Sequence, residues 1–478
     1  MTTADNILLI TTDQQRFDTI QAWGNRQIFT PHLNYLAAEG INFTRAYADC
    51  PICMPSRTTI MTGEPAFLSG VKGNANHQSY MQQKAQERRT LPAALAEAGY
   101  QTKAMGKMHF EPARAHYGFE EMEIPADYLR WCDRNETLAR PKLSGVGECE
   151  MEPAINPSPL KDTLTTWTVD RSIDFLETRD PLRPFFMWTS FTKPHPPFDP
   201  CREFWELYET GDMPDPVYGD WSKTLEEVPQ GFLMGAYENT NVHLFSPKQV
   251  KAMRRAYYAL ISQIDYALGR LLASLRENGL LENTWIIFTS DHGEMLGDHF
   301  ASQKNLFFEG SAHVPLMIVP PQRYKTPQRG LRVAHLAQMC DIYPTILAMA
   351  GVEAPPNMPG RNLLDLSEDR TFYGNCLDVH FCVMEGRYKL VYCRYGGHYL
   401  LFDLEKDPME QHNLYADPAC EAVREDLKKK MLAHARATAP GAMDGEAFRV
   451  LPEPAFPGDV SSHWFGFHYR DYRVDTFH

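Results

Sequence analysis

Short apolar runs of strand length recur along the chain, and each gives way to polar residues at its carboxyl end. Ile7-Leu8-Leu9-Ile10-Thr11-Thr12 ends at Asp13 and Gln14, and Tyr100 to Met105 leads through Gly106 to Lys107 and His109. Phe185 to Thr189 leads to Lys193 and His195, Trp285 to Thr289 ends at Asp291 and His292, and a further run, Val314 to Val319, follows Lys304 and Glu309. Continuous rather than alternating apolar runs belong to strands buried on both faces, and parallel strands of that kind collect functional groups beyond their carboxyl ends.

Between these runs the apolar period changes to that of helices. Tyr257, Leu260, Ile264, Leu268, Leu271 and Leu275 recur at three- and four-residue spacing and predict a helix over 250–278, stopped by Asn278-Gly279. Weaker patterns predict helices over 92–98, 162–178 and Met339–Ala350, the last closed by Gly351. Strands alternating with helices imply an α/β fold. The segment from about 125 to 160, with Pro141, Pro153, Pro157 and Pro159, reads as an irregular insertion, and 210–246 reads similarly. Long loops in a compact domain are more often functional than idle, which makes both segments candidate walls of a substrate pocket.

After about residue 365 the pattern changes. Arg387–Tyr392 and Tyr399–Leu404 read as antiparallel strands separated by Gly396-Gly397, and a helix from Cys420 to Thr438 follows, so a smaller C-terminal α+β domain is expected. The final forty residues carry Pro440, Pro452, Pro454 and Pro457 and then an aromatic cluster, His463 to Tyr469, suited to packing on the body or on a neighbouring subunit of a homo-oligomer. The expected division is therefore 1–365 for a catalytic α/β domain, 366–438 for the small domain and 439–478 for a C-terminal extension.

At 478 residues the chain exceeds one ordinary core. Its net charge of -14, from 61 acidic against 47 basic residues with no Lys/Arg block, opposes binding to a nucleic-acid backbone. No apolar run approaches a membrane span, and the opening residues Met1 to Asn6 lack the basic region of a signal peptide. Ten cysteines without a repeated spacing read as reduced thiols, and a cytoplasmic location is expected.

The chemistry concentrates in Cys53-Met54-Pro55-Ser56-Arg57, followed by Gly63. Proline is tolerated in a first helical turn and glycine closes a helix, so Cys53 is expected at the positive end of a short helix, where a thiol is acidified, with Arg57 one turn on. Cys50-Pro51-Ile52-Cys53 is also a C-x-x-C, open to reading as a redox pair or half of a zinc knuckle. Asp13 and Asp291-His292 both follow buried strands, so one sheet can bring them together around a hard cation. Singly, each aspartate would read as a helix cap or turn residue.

The Cys-x-Pro-Ser-Arg run resembles the signature of the type I sulfatases, whose cysteine is oxidised to formylglycine. The resemblance extends in order through Gly106-Lys107-Met108-His109, Lys193-Pro194-His195-Pro196-Pro197-Phe198, Thr289-Ser290-Asp291-His292-Gly293, Lys304 with Glu309-Gly310-Ser311, and Phe402 to Pro408, over roughly residues 5–415. It implies an alkaline phosphatase-like fold: a large mixed, mostly parallel sheet sandwiched by helices. It also implies a sulfuric ester hydrolase whose Asp13, Gln14, Asp291, His292 and modified Cys53 surround one divalent cation, calcium first and magnesium or manganese as alternatives. By the same resemblance Arg57, Lys107 and Lys304 hold the sulfate oxygens, His195 and Lys304 help protonate the leaving alkoxide, and His109 takes the remaining diol proton. Lys193 is assigned to loop shape; His77 and His299 are pocket residues on position alone.

Gln14 and His292 stand where many relatives have aspartate and asparagine, and His313 where an arginine is frequent. The first two resemble the phosphonate monoester and phosphodiester hydrolases that share the formylglycine architecture, whereas the Lys107–His109 pair resembles true sulfatases. A sulfate monoester on a sugar, at a 2-O or 6-O position of a glycan fragment, is the expected substrate, with small aryl or alkyl sulfates as alternatives. A formylglycine-generating enzyme is the expected maturation partner. A metal-dependent binding protein with unmodified Cys53 is the non-enzymatic alternative.

Overall fold

A computed structural model describes residues 4–74, 78–135, 146–147, 149–234, 240–365 and 370–455. Its centre is an eight-stranded sheet in the spatial order Arg332–Val333, Ile41–Phe43, Leu316–Val319, Thr284–Ser290, Asn6–Asp13, Phe185–Pro194, Gln101–Gly106, Glu121–Glu123. Asn6–Asp13 runs parallel to both neighbours, pairing Leu9 with Ile287 on one side and with Trp188 on the other. The Leu316–Val319 strand differs from its expected parallel setting: it lies antiparallel to Ile41–Phe43 and Thr284–Ser290. The apolar run that contains it is also divided, because His313–Val314 leaves to pair with Ala46–Tyr47 in a separate three-stranded sheet. Pattern alone marks a buried strand but carries no direction.

Helices cover both faces. Leu8, Ile10, Phe185 and Met187 pack against the long helix Pro247–Glu277, whereas Ile7, Leu9, Phe186 and Trp188 face the layer containing Leu91–Glu97 and Ile342–Met349. Consecutive side chains of one strand thus enter two different cores, which is why the runs are apolar without alternation. Each such side chain contributes about 1.5–3 kcal/mol by leaving water. Ser246 caps the long helix by accepting from Gln249 N, Pro247 occupies its first position, and Gly279 follows in the left-handed region at φ 67°.

The start of the segment 125–160 is regular where an irregular insertion was expected. Pro125–Arg134 is a helix, entered where the Asp127 carboxylate accepts from Ile124 N at 3.0 Å, and Tyr128 and Cys132 pack on Trp167. Three buried residues, one of them the opening proline, are too few to show as a period. In 210–246 the described residues form single turns, Gln230–Phe232 and Val242–Leu244. The C-terminal unit is a four-stranded antiparallel sheet, Phe372–Cys376, His380–Glu385, Tyr388–Cys393 and His398–Asp403, with helix Glu421–Thr438 packed on it. Its first two strands escaped the sequence pattern. The aromatic run 463–469 lies outside the described residues, whereas Phe448 stacks on Tyr392 at 4.4 Å between ring centres. No described helix is long and apolar enough to cross a membrane.

Candidate active site

The site lies at the carboxyl ends of the central strands, against helix Cys53–Thr62. Ile52 enters that helix in extended conformation, Pro55 sits in its first turn, and Gly63 closes it at φ 71° by donating its N–H to Thr59 O. All ten helical residues are buried. Asp13, Cys53, Asp291 and His292 each present one ligand atom, and these atoms lie within 4.8 Å of one another.

Lys304 Nζ stands 2.9 Å from Cys53 Sγ and 3.1 Å from Gln14 Oε1, while His292 Nε2 is 3.2 Å from the sulfur. Lys107 Nζ meets Asp13 Oδ2 at 2.6 Å. His109 hydrogen-bonds Cys53, and its buried Nδ1 has no hydrogen-bond partner among the described residues. His195 feels the charges of Lys107, Lys304, Asp13 and Cys53, and its Nδ1 donates to Pro196 O at 2.7 Å.

Arg57 is fully buried and turned toward the carboxylates. Its Nε donates to Asp291 Oδ2 at 2.8 Å, one terminal nitrogen to Asp13 Oδ2 at 3.3 Å, and the other to Ser190 Oγ at 2.8 Å and Lys107 O at 2.5 Å. Every nitrogen of the guanidinium is therefore engaged by the protein. That arrangement supports a role in holding the two aspartates rather than the direct grip on a sulfate oxygen expected for Arg57.

Electrostatics follow from this packing. Burial would raise Asp13, yet Lys107, His195, Arg57 and Lys304 hold it well below the usual carboxylate range. Burial, reinforced by Asp13, raises Asp291. Burial and Asp13 act to raise the Cys53 thiol, but Lys304, Lys107 and His292 outweigh them and it lies well below its ordinary value. His109 is pushed down to about 4 by burial first and by Lys107, and His195 is lowered by burial, Lys107 and Lys304. Both histidines are neutral at pH 7.

The donor set fits a divalent cation. His292 Nδ1 lies 2.9 Å from Gly293 O, a group that only accepts, so one ring proton sits there and Nε2 faces Asp13 Oδ1 at 3.9 Å and Asp291 Oδ1 at 3.7 Å. Nε2 among these oxygens calls for a positive charge, either a second ring proton, whose binding Asp291 and Cys53 favour, or a divalent cation. Gln14, in the left-handed region at φ 73°, is kept beside this cluster: its N–H donates to Asp291 Oδ1 at 3.0 Å and its carbonyl accepts from Tyr257 Oη at 2.5 Å.

Other expected residues fall elsewhere. Cys50 Sγ reaches Lys72 O at 3.6 Å and hydrogen-bonds Cys376, so the C-x-x-C is not a facing pair. Lys193 pairs with Asp199 at 2.6 Å and shapes its loop. His299 bonds Ser222 Oγ at 2.8 Å and packs tilted against Trp221, placing it under the C-terminal unit and not in the site. His77 lies outside the described residues. His313 retains an ion-pairing geometry in place of arginine, 2.6 Å from Glu309 Oε2. Sequence reasoning missed Ser56, Ser190 and Glu294, whose partners come from distant segments; only the position of Glu294, two residues after His292, could have signalled it.

Known proteins resemble this chain along most of its length. The Sulfatase family model matches residues 5–352, and the model for the C-terminal part of N-sulphoglucosamine sulphohydrolase matches residues 297–437. An arylsulfatase of Clostridium perfringens is 32% identical over 475 residues, covering 92% of this chain and 96% of the relative. The phosphonate monoester hydrolase of Agrobacterium radiobacter superposes with a TM-score of 0.73 at 25% identity, over 91% of this chain and 96% of its own. A protein solved with its substrate D-glucosamine-2-N,6-O-disulfate gives a TM-score of 0.72 at 21% identity, over 92% and 100%, and shares the fold.

Proposed function

The chain belongs to the sulfatase family and is a sulfuric ester hydrolase, and from that premise we propose that it cleaves a sulfate monoester of a sugar through formylglycine made from Cys53, assisted by a divalent cation. The observation that carries this reading is the approach of Lys304 Nζ, His292 Nε2 and Asp13 to Cys53 Sγ, the atom whose place the reacting oxygen of the modified residue would take. When Cys53 is converted, its hydrate supplies a geminal diol: one oxygen attacks sulfur with loss of the alkoxide, and deprotonation of the other lets sulfate leave. A cation held by Asp13, Gln14, Asp291, His292 and that diol would supply Lewis-acid polarisation of the sulfate. An imidazole nitrogen among carboxylate oxygens favours Mn²⁺ over the calcium suggested by resemblance.

The chain's own groups divide the remaining work. Lys107 and Lys304 remain cationic, each raised by Asp13 and Cys53 against the lowering effect of burial, and hold the anionic ester. His195 is neutral while those lysines face it unscreened, and an anionic ester offsets them, letting it take the proton that it passes to the leaving oxygen. His109, whose affinity for protons burial and Lys107 lower, accepts the second diol proton only as negative charge builds beside it. Arg57 pairs with Asp13 and Asp291 and keeps them aligned.

The sugar class is supported by the match to the N-sulphoglucosamine sulphohydrolase model and by the glucosamine disulfate bound to a relative of the same fold. A phosphonate or phosphodiester activity is the second reading, favoured by Gln14 and His292 and by the Agrobacterium neighbour. Lys107 and His109 follow the Gly-Lys-x-His pattern that resembles true sulfatases, so the sulfate monoester is preferred. The test is peptide mass spectrometry across residues 46–57 after co-expression with a formylglycine-generating enzyme, followed by assay of sulfated monosaccharides, an aryl sulfate and an aryl phosphonate. Conversion at Cys53 with faster sulfate release is expected; an unmodified Cys53, or faster phosphonate cleavage, rejects the reading.

A further inference from the structure

Glu294 is fully buried, and three donors converge on its carboxylate. One oxygen accepts from Gln14 Nε2. The other accepts from Gln303 N at 2.5 Å and Leu296 N at 3.1 Å. The first contact settles which way the Gln14 amide faces: with its NH2 on Glu294, its Oε1 must point the other way, where Lys304 Nζ donates to it at 3.1 Å.

The second contact holds the backbone that carries Lys304. Gln303 and Asn305 flank this lysine with φ of 61° and 76°, a left-handed conformation that side-chain-bearing residues adopt only under constraint. Glu294 constrains one side of the turn, and Asn305 N constrains the other by donating to Pro51 O at 3.0 Å, beside the Cys53 helix. A single carboxylate therefore sets both partners of the Lys304–Gln14 hydrogen bond.

We propose that Glu294 is the positioning residue of this site: it orients the Gln14 carbonyl oxygen toward Lys304 and the Asp13–Asp291 cluster, and it clamps the turn that aims Lys304 at residue 53. The proposal rests on the reading above, in which Gln14 and Lys304 serve the cation and the sulfate. Glu294→Gln is nearly isosteric, but the NH2 it introduces opposes the NH2 of Gln14; the Gln14 amide must turn over, and its donors then confront the Lys304 ammonium. Adding Gln14→Glu repairs this. The carboxylate introduced at position 14 accepts both from the new amide at position 294 and from Lys304. The oxygen of that amide still accepts from Gln303 N, and net charge is unchanged from the wild type.

The experiment is a double-mutant cycle on the mature, cation-loaded enzyme, read by kcat/KM for an aryl sulfate and by thermal unfolding. Glu294→Gln is expected to lower kcat/KM about a hundredfold, chiefly through kcat, because it misplaces reacting groups rather than removing them. The double variant is expected to recover most of that loss and of the accompanying fall in Tm. The kcat readout separates orientation from bulk stability, since a merely structural pairing of positions 14 and 294 would lose and regain Tm without a matching loss and recovery of kcat. A single variant as active as the wild type, or a double variant no better in rate and Tm than the single, overturns the proposal. Failure of the underlying reading looks different: the wild type would hydrolyse no sulfate ester, yet the coupling between positions 14 and 294 would persist in Tm.

Discussion

Arg57 presents its donors as a rigid fork, and the four groups they meet come from four different segments of the chain: Asp13, Lys107, Ser190 and Asp291. Lysine offers one rotatable ammonium and cannot reproduce that fork. Arg57→Lys therefore leaves some of these buried acceptors without their donor, and destabilisation of about 1–3 kcal/mol is expected in urea unfolding. A second expectation concerns the leaving group. If His195 supplies its proton, His195→Asn should lower kcat/KM for an alkyl or sugar sulfate by about 10²–10⁴-fold while scarcely affecting an ester of an acidic phenol. Equal losses on both esters would remove His195 from that role.

The Cys53–Thr62 helix depends on how it ends. At Gly63 an added Cβ would lie 3.0 Å from Tyr343 Cγ and 2.1 Å from Met358 Cε, and the backbone there has φ +71°. Gly63→Ala should cost about 1–3 kcal/mol in stability, measured as a lower Tm, and the shifted helix should lower activity with it. In the C-terminal sheet, His380 is buried with its Nδ1 unpartnered among the described residues, and burial pushes it down to about 4 from 6.5. The folded protein thus binds this proton less readily than the unfolded chain. The stability attached to neutral His380 is intact above pH 6.5 and declines as pH falls toward 4. His380→Phe should gain in Tm relative to the wild type on acidification through that window; a constant difference would refute the assignment.

Across the whole molecule, the C-terminal sheet is joined to the site-bearing body by a buried ionic cluster. Lys389, with no exposed side-chain surface, meets Glu309 at 2.7 Å and Glu410 at 2.8 Å, and Glu309 lies on the segment that follows Lys304. Lys389 and His313 hold Glu309 low against the opposing effect of burial, whereas burial pushes Glu410 up to about 7. Lys389→Met would leave Glu410 without its cation and Glu309 with His313 alone, and a loss of about 3–5 kcal/mol is expected by denaturant unfolding.

The order of residues conveys part of this architecture, and folding adds the rest. Buried strands at 7–12, 185–189 and 285–289 were legible because a strand covered on both faces must be apolar at consecutive positions, and the long helix was legible from its period and caps. The polar residues beyond those strands were legible too, since a local motif names its own residue types. Strand direction was not: the antiparallel Leu316–Val319 has the same apolar character as its parallel neighbours, and only pairing across the sheet decides its sense. Nor were the first two strands of the C-terminal sheet or the helix Pro125–Arg134, whose apolar residues meet partners far away in the chain. Fold class and the residue types gathered at the strand ends are thus properties of local pattern, readable before any contact is known. That Arg57 faces the carboxylates, that Cys50 turns from Cys53, and that Glu294 stands behind Gln14 are properties of the folded chain alone, because the direction of a buried polar side chain is set by partners as much as hundreds of residues away.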